Sequence, residues 1–267
     1  MLLDLLFYLF AGGAAGFLGG LLGIGGGLLI VAALSVTLPA LGVPHSEVMH
    51  VSVATSLAGI VLTASSSTYA QLRRKAVMLP TLLRLAPGLV LGGFIGAHLA
   101  QLMSGPVLRW VIAVFCLFMA WRMVFGRNAA GGDSAHVPRS PWLLPAGVGI
   151  GTVSAIVGIG GGSLTVPLLV GMGTKPVRAV ATSAAAGLVI GLASAISYML
   201  ALRAPAQPLP PGSLGYVYLP AAAATAVASM ITAQFGVRMA HRLSGPALKR
   251  VFAVFLLVVG VLIAAGG

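Results

Sequence analysis

The chain has 267 residues, of which 59% are hydrophobic and only 7% charged. A water-soluble domain carries about a quarter charged residues, so the composition excludes a soluble globular fold and points to an integral membrane protein. The net charge of +12 comes from fifteen Lys+Arg against three acids, Asp4, Glu47 and Asp133. The cations lie between apolar runs without interleaved aromatics, a pattern of orientation signals and anionic-lipid contacts rather than of a nucleic-acid surface.

The apolar runs are continuous and do not alternate in ten-residue segments, so the expected fold is all-α and polytopic, not a barrel. The first run covers about 2–38 and contains GFLGGLLGIGGGLLIV at 16–31. Its start, MLLDLLFYLF, lacks the basic stretch of a removable signal peptide. Segments of about 48–70, 79–101 and 107–125 follow, the last holding Cys116, a lone thiol that reads as a small core residue. A polar stretch, RNAAGGDSAHVPRS at 127–140, separates these from runs of about 141–172, 179–202, 214–237 and 249–265. The expected organisation is a membrane repeat at 1–126, a linker at 127–140 and a second repeat at 141–267.

The two halves repeat one another. Gly23, Ile24, Gly25, Gly26 and Gly27 recur as Gly158, Ile159, Gly160, Gly161 and Gly162, within GTVSAIVGIGGGSLTV at 151–166. Ala54, Thr55, Ser56 recur as Ala181, Thr182, Ser183, and SGPVLRWVIAVFCL at 104–117 recurs as SGPALKRVFAVFLL at 244–257. A crossing needs about 20 apolar residues. Six segments fit one crossing each; the two glycine-bearing segments are longer and broken near their middle.

Charge arbitrates between topologies. If all eight segments cross once, the cations divide seven against seven. If each glycine-bearing segment is a re-entrant hairpin, they divide twelve against two, with only Arg109 and Arg203 on the minor side. The latter asymmetry is that of cytoplasmic loops and favours two inverted repeats, each with a glycine-broken hairpin or discontinuous helix plus three transmembrane helices. Eight simple spans are the alternative.

Glycine triplets make poor straight helix, at about 1 kcal/mol each against alanine. Irregular backbone at membrane depth survives only inside protein or beside a wet cavity. A break frees N–H groups at a half-helix N-terminus, where the helix dipole favours anions. A duplicated break of this kind marks a transporter substrate site. The candidate substrate-binding residues are therefore Gly23, Gly25, Gly26, Gly27, Thr55, Ser56, Gly158, Gly160, Gly161, Gly162, Thr182 and Ser183. The bland alternative is close helix packing, the expected role of the small-residue spacing at Gly12/Gly16/Gly20, Gly88/Gly92/Gly96, Gly147/Gly151 and Gly187/Gly191. Hydroxyls in membrane helices also bond their own i−4 carbonyl, which competes with substrate contact at the Ala-Thr-Ser positions.

Other polar residues weigh less. Thr63, Ser65, Ser66, Ser67 and Thr68 form a polar run present in one half only. His50 and His98 lie near span ends and read as structural. Arg84 snorkels to the interface, and nothing in the sequence pairs Glu47. No carboxylate pair, metal-ligand spacing, catalytic triad or nucleotide motif is present, so enzymatic chemistry and a bound cofactor are unsupported.

Together these features resemble the TauE/SafE family of membrane permeases, also called sulfite exporters. The resemblance covers nearly the whole chain. It rests on the doubled GIGGG at 23–27 and 158–162, VATS at 53–56 approximated at 180–183, and the basic start of the last span in each half. GIGGGSLTVPLL at 158–169 and PVRAVATS at 176–183 fit the family pattern well, whereas the first half has Leu-Leu-Ile-Val-Ala after its glycines. The resemblance implies a secondary transporter of small anions, of the sulfite or sulfonate type, in the bacterial inner membrane. The implied partners are the anion, the bilayer and a coupled proton or other ion. A passive anion channel and a non-transporting assembly subunit are the alternatives, and the oligomeric state is left open.

Overall fold

In a computed structural model of the chain, described for residues 2–22, 26–125, 140–201, 205, 208–240 and 245–265, nearly all regular structure is helical. The first half contains α1 (Leu2–Leu22), α2 (Gly27–Thr37), a short 3-10 turn (Leu38–Leu41), α3 (Val48–Arg73), α4 (Leu79–Leu102) and α5 (Gly105–Phe125). The second contains α6 (Leu143–Val157), α7 (Gly162–Gly171), α8 (Pro176–Leu200), a two-strand hairpin β1 (Ser213–Leu214) and β2 (Val217–Tyr218), α9 (Leu219–Ala240) and α10 (Gly245–Ala265). The predicted linker falls almost wholly outside the described residues, as do Gly23, Gly25, Arg203 and Arg242.

Among the described residues, five helices are long and apolar enough to cross a bilayer: α3, α4, α5, α8 and the Leu219–Gly236 portion of α9. The outward surface carries large bare apolar groups such as Phe10 of α1, Leu83 of α4, Phe125 of α5 and Trp142 at the head of α6, each at least 70% exposed. In water such surface would drive aggregation; against acyl chains it is matched. The chain is a multi-pass membrane protein. Each glycine-bearing run is divided into two helices, as its composition predicts. The division is uneven in the first half, where α1 has 21 residues and α2 only 11. The run expected at 214–237 also differs at its start: residues 213–218 pair as a hairpin, with Ser213 opposite Tyr218 and Leu214 opposite Val217.

The helices pair across the halves. α1 packs most extensively on α9 and α6 on α4, so the first helix of each half lies against the fourth of the other. α3 lies against α8 and α5 against α10. Glycine permits the two exchanged contacts. A Cβ on Gly12, Gly16 or Gly20 would overlap backbone of Thr225, Ser229 or Ala233, and one on Gly88, Gly92 or Gly96 would overlap backbone of Leu144, Val148 or Thr152. Gly147 and Gly151 meet Leu85 and Leu89 in the same way. Bare backbone contact supplies the dispersion that replaces the hydrophobic effect in lipid, and Ser229 adds a hydrogen bond from Oγ to Gly12 O at 2.7 Å. The exchange yields two bundles, α1–α2–α3–α9 and α6–α7–α8–α4, which meet along α3 and α8. The second has its own apolar core of Leu85, Leu89, Leu143, Ile150, Ala186 and Ile190.

Candidate functional site

Both breaks end in the same backbone conformation. Gly26 at the head of α2 has φ 69° and Gly161 at the head of α7 has φ 70°, left-handed values that favour glycine. α6 stops at Gly158, φ 79°, where the amides of Gly158 and Ile159 donate to Ser154 O at 2.9 and 3.1 Å. In the new helices the first bonds come from Leu29 and Ile30 to Gly26 O, and from Leu164 and Thr165 to Gly161 O. The amides before those positions are the orphan donors of a helix N-terminus.

The fold brings the two breaks together. A Cβ on Gly27 would overlap Gly158 O, and Ser56 of α3 lies within hydrogen-bond reach of both carbonyls, Gly27 O at 2.9 Å and Gly158 O at 3.1 Å. Its single hydroxyl hydrogen is shared between them. Ile60, one turn along α3, fills the space between the breaks: its side chain lies 2.7 Å from a Cβ position on Gly27 and 3.2 Å from one on Gly160. Gly187 of α8 presses on Gly160 O, so α8 approaches the second break at a glycine. Ser183, the repeat counterpart of Ser56, is buried on α8.

The threonines of the repeated Ala-Thr-Ser do a different task. Met78 N, just ahead of α4, donates to Thr182 Oγ1 at 3.0 Å, and Tyr218 N, just ahead of α9, donates to Thr55 Oγ1 at 3.0 Å. Each threonine fastens the start of the fourth helix of the opposite half. Thr182 also donates to Arg178 O at 2.8 Å, the i−4 bond common in membrane helices. Replacing Thr182 by valine removes the acceptor for a buried amide at nearly constant volume. The expected loss is about 1–3 kcal/mol of stability, read as a lowered unfolding temperature in detergent; an unchanged temperature would show that the tether is dispensable.

Three hydroxyls that the repeat does not single out also belong to the second break. Ser154 Oγ lies 3.4 Å from the Cβ position of Gly161. Ser163 and Thr165 sit in the first turn and a half of α7. All three are buried and their side-chain oxygens have no hydrogen-bond partner. In the first half the matching positions are Gly19, Leu28 and Ile30. The signal was present in the sequence as the contrast between Ser-Leu-Thr and Leu-Leu-Ile after the glycines.

The remaining polar residues are largely structural in their contacts. Thr63 bonds Gly59 O and Ile60 O, and Ser65 bonds Val61 O, all within α3. Arg84 and His98 are exposed. His50 is buried with Nε2 3.0 Å from Ala100 O and 3.1 Å from Met103 O, so this nitrogen carries the proton and caps the end of α4. Its Nδ1 is 3.7 Å from Glu47 Oε2, and the Tyr216 ring stacks at 5.6 Å. The structure thus gives Glu47 the neighbour the sequence left unassigned. No group of metal-ligating side chains occurs among the described residues.

The family model for sulfite exporter TauE/SafE matches residues 8–263. A curated protein of Haemophilus influenzae, named a probable membrane transporter protein, is 33% identical over 259 residues, covering 96% of this chain and 97% of the relative. No solved structure matches the chain significantly.

Proposed function

The chain belongs to the sulfite exporter TauE/SafE family of membrane transporters, and from that premise we propose that it is a secondary carrier of a small anion, a sulfur oxyanion or short sulfonate, bound where the glycine breaks meet. One observation carries the reading: a single serine, Ser56, ties the two breaks through Gly27 O and Gly158 O, so two half-helix N-termini share one neighbourhood. Amides of Gly26, Gly27 and Gly160–Gly162 are the donors for the charged head, with Gly158 shaping the turn. Ser183 completes the shell, Ser56 holds the two breaks together through its bonds to both carbonyls, and Thr55 and Thr182 position the helices around it. Alternating access then comes from one bundle rocking on the other along α3 and α8. The moving bodies are the exchanged bundles, since α1 is fastened to α9 and α6 to α4.

The test is flux of sulfite, thiosulfate, sulfate and methanesulfonate into proteoliposomes holding the full chain, each with and without a proton gradient. Saturable movement of one sulfur anion, with exchange against the same anion inside, is expected. Linear, non-saturating flux with single-channel currents would replace the carrier by a channel. No movement of any of them would overturn the assignment.

A further inference from the structure

The second glycine break differs from the first in chemistry, and the difference bears on charge. At the first, the flanking positions Leu28 and Ile30 are buried hydrocarbon, and Gly26 is pressed against Ala15 O. At the second, Ser154, Ser163 and Thr165 are at least nine-tenths buried with unpartnered oxygens. Ser154 Oγ is directed at Gly161, the residue that heads α7. A helix N-terminus with the free Ser154 hydroxyl beside its head and unpartnered hydroxyls in its first turns is an incomplete solvation shell for an oxyanion, because each buried hydroxyl without a partner costs free energy that a ligand oxygen recovers.

No lysine or arginine is buried among the described residues. The side chains that a Cβ on Gly27, Gly158, Gly160 or Gly161 would meet first are those of Ser56, Ile60, Val31, Val53, Ile150, Ile190 and Ser154, none of them charged. Positive potential at the break comes from helix N-termini, roughly half an elementary charge from α7 and the same from the neighbouring α2. The cost of desolvating an ion grows as the square of its charge, so a dianion faces roughly four times the penalty of a monoanion of the same size. About one elementary charge in all and a few neutral donors match one negative charge, not two. Serine hydroxyls also accept as well as donate, so they suit an oxyanion that carries its own proton.

We infer that the transported species is a singly charged oxyanion, hydrogensulfite or a sulfonate rather than sulfite dianion or sulfate, seated at the head of α7 with Ser154 and Ser163 as its side-chain donors. This rests on the carrier reading above and narrows it to one break and one charge state.

The experiment is uptake kinetics in proteoliposomes across a series of pH values, equal on both sides. Sulfite is the probe, methanesulfonate (one charge at every pH) and sulfate (two charges) the competitors. The expected KM for total sulfite rises in inverse proportion to the fraction remaining as monoanion, tending to about tenfold per pH unit once the dianion dominates. The inhibition constant of methanesulfonate stays flat, and sulfate competes at least about a hundredfold more weakly. Ser154→Ala and Ser163→Ala each raise KM for both monoanions about tenfold, the scale of one hydrogen bond to a charged group, with unfolding temperatures near that of the parent. Sulfate competing as well as methanesulfonate, or a folded Ser154→Ala/Ser163→Ala double variant with parental KM, overturns the inference and leaves the carrier reading standing. Absence of flux for every anion in the parent overturns both.

Discussion

Gly161→Ala is expected to lower anion flux at least tenfold in protein that still folds. Two effects act together. At φ 70° an alanine pays about 1–2 kcal/mol that glycine does not. Its methyl would also lie 2.5 Å from Ile190 Cδ1 and 3.4 Å from Ser154 Oγ. The isoleucine tip can turn away, so folding survives. The turn itself must open to relieve φ, and that moves the amides heading α7 and fills the space before Ser154. A tenfold change needs only about 1.4 kcal/mol, within what the strain alone supplies. Purified variant is compared with the parent for uptake rate and unfolding temperature; parental uptake would remove the second break from the transport cycle.

The opposite pattern is expected for Gly92→Ala. Its methyl would overlap Val148 O and lie 2.8 Å from Thr152 N. These are backbone atoms of α6, with no torsion to relieve the contact, so α4 and α6 must separate along the whole face that Gly88, Gly92 and Gly96 define. Overpacking typically costs 1–3 kcal/mol, and a rigid helix–helix contact puts this substitution at about 3 kcal/mol or more. A strong fall in folded yield and unfolding temperature should result, with flux lost in consequence. Gly149→Ala, with nothing within 4 Å of the new methyl, is the matched control and should behave as the parent. Equal stability of the two variants would mean that close approach of α4 and α6 contributes little.

These substitutions sort glycines that the sequence presents alike. Hydropathy and length placed α3, α4 and α8 within a few residues of their observed bounds, because long apolar helices leave a strong signal. The GIGGG phrase placed both breaks, since a glycine triplet cannot continue a helix cheaply. The i+4 glycine spacing named the faces of α1, α4 and α6 that meet another helix. It could not say which helix: Gly12 fits any smooth partner, and only the folded chain brings Thr225 to it. Repetition is also silent on what distinguishes the halves. Ser154, Ser163 and Thr165 have no polar counterparts in the first half, so the repeat that marks Ser56 and Ser183 does not mark them. The hairpin at 213–218 was hidden for another reason: Val217 and Tyr218 read as the opening of a span. Its turn residue Tyr216 is instead buried between His50 and Tyr198.

The exchanged pairing also sets an order of assembly. α4 is complete when α6 emerges, so the Gly88–Gly92–Gly96 face finds Leu144–Thr152 almost as soon as that segment is made. α1 has no such neighbour. The residues that cover Gly12 begin at Thr225, 213 positions later. At synthesis rates of about 5–20 residues per second, its glycine groove waits on the order of ten to forty seconds. Through that interval only lipid or the insertion machinery can occupy the groove, and chains that stall or truncate before α9 carry it uncovered. The first helix made is thus the one that waits longest for its partner, and an unsealed α1 distinguishes an unfinished molecule from a finished one.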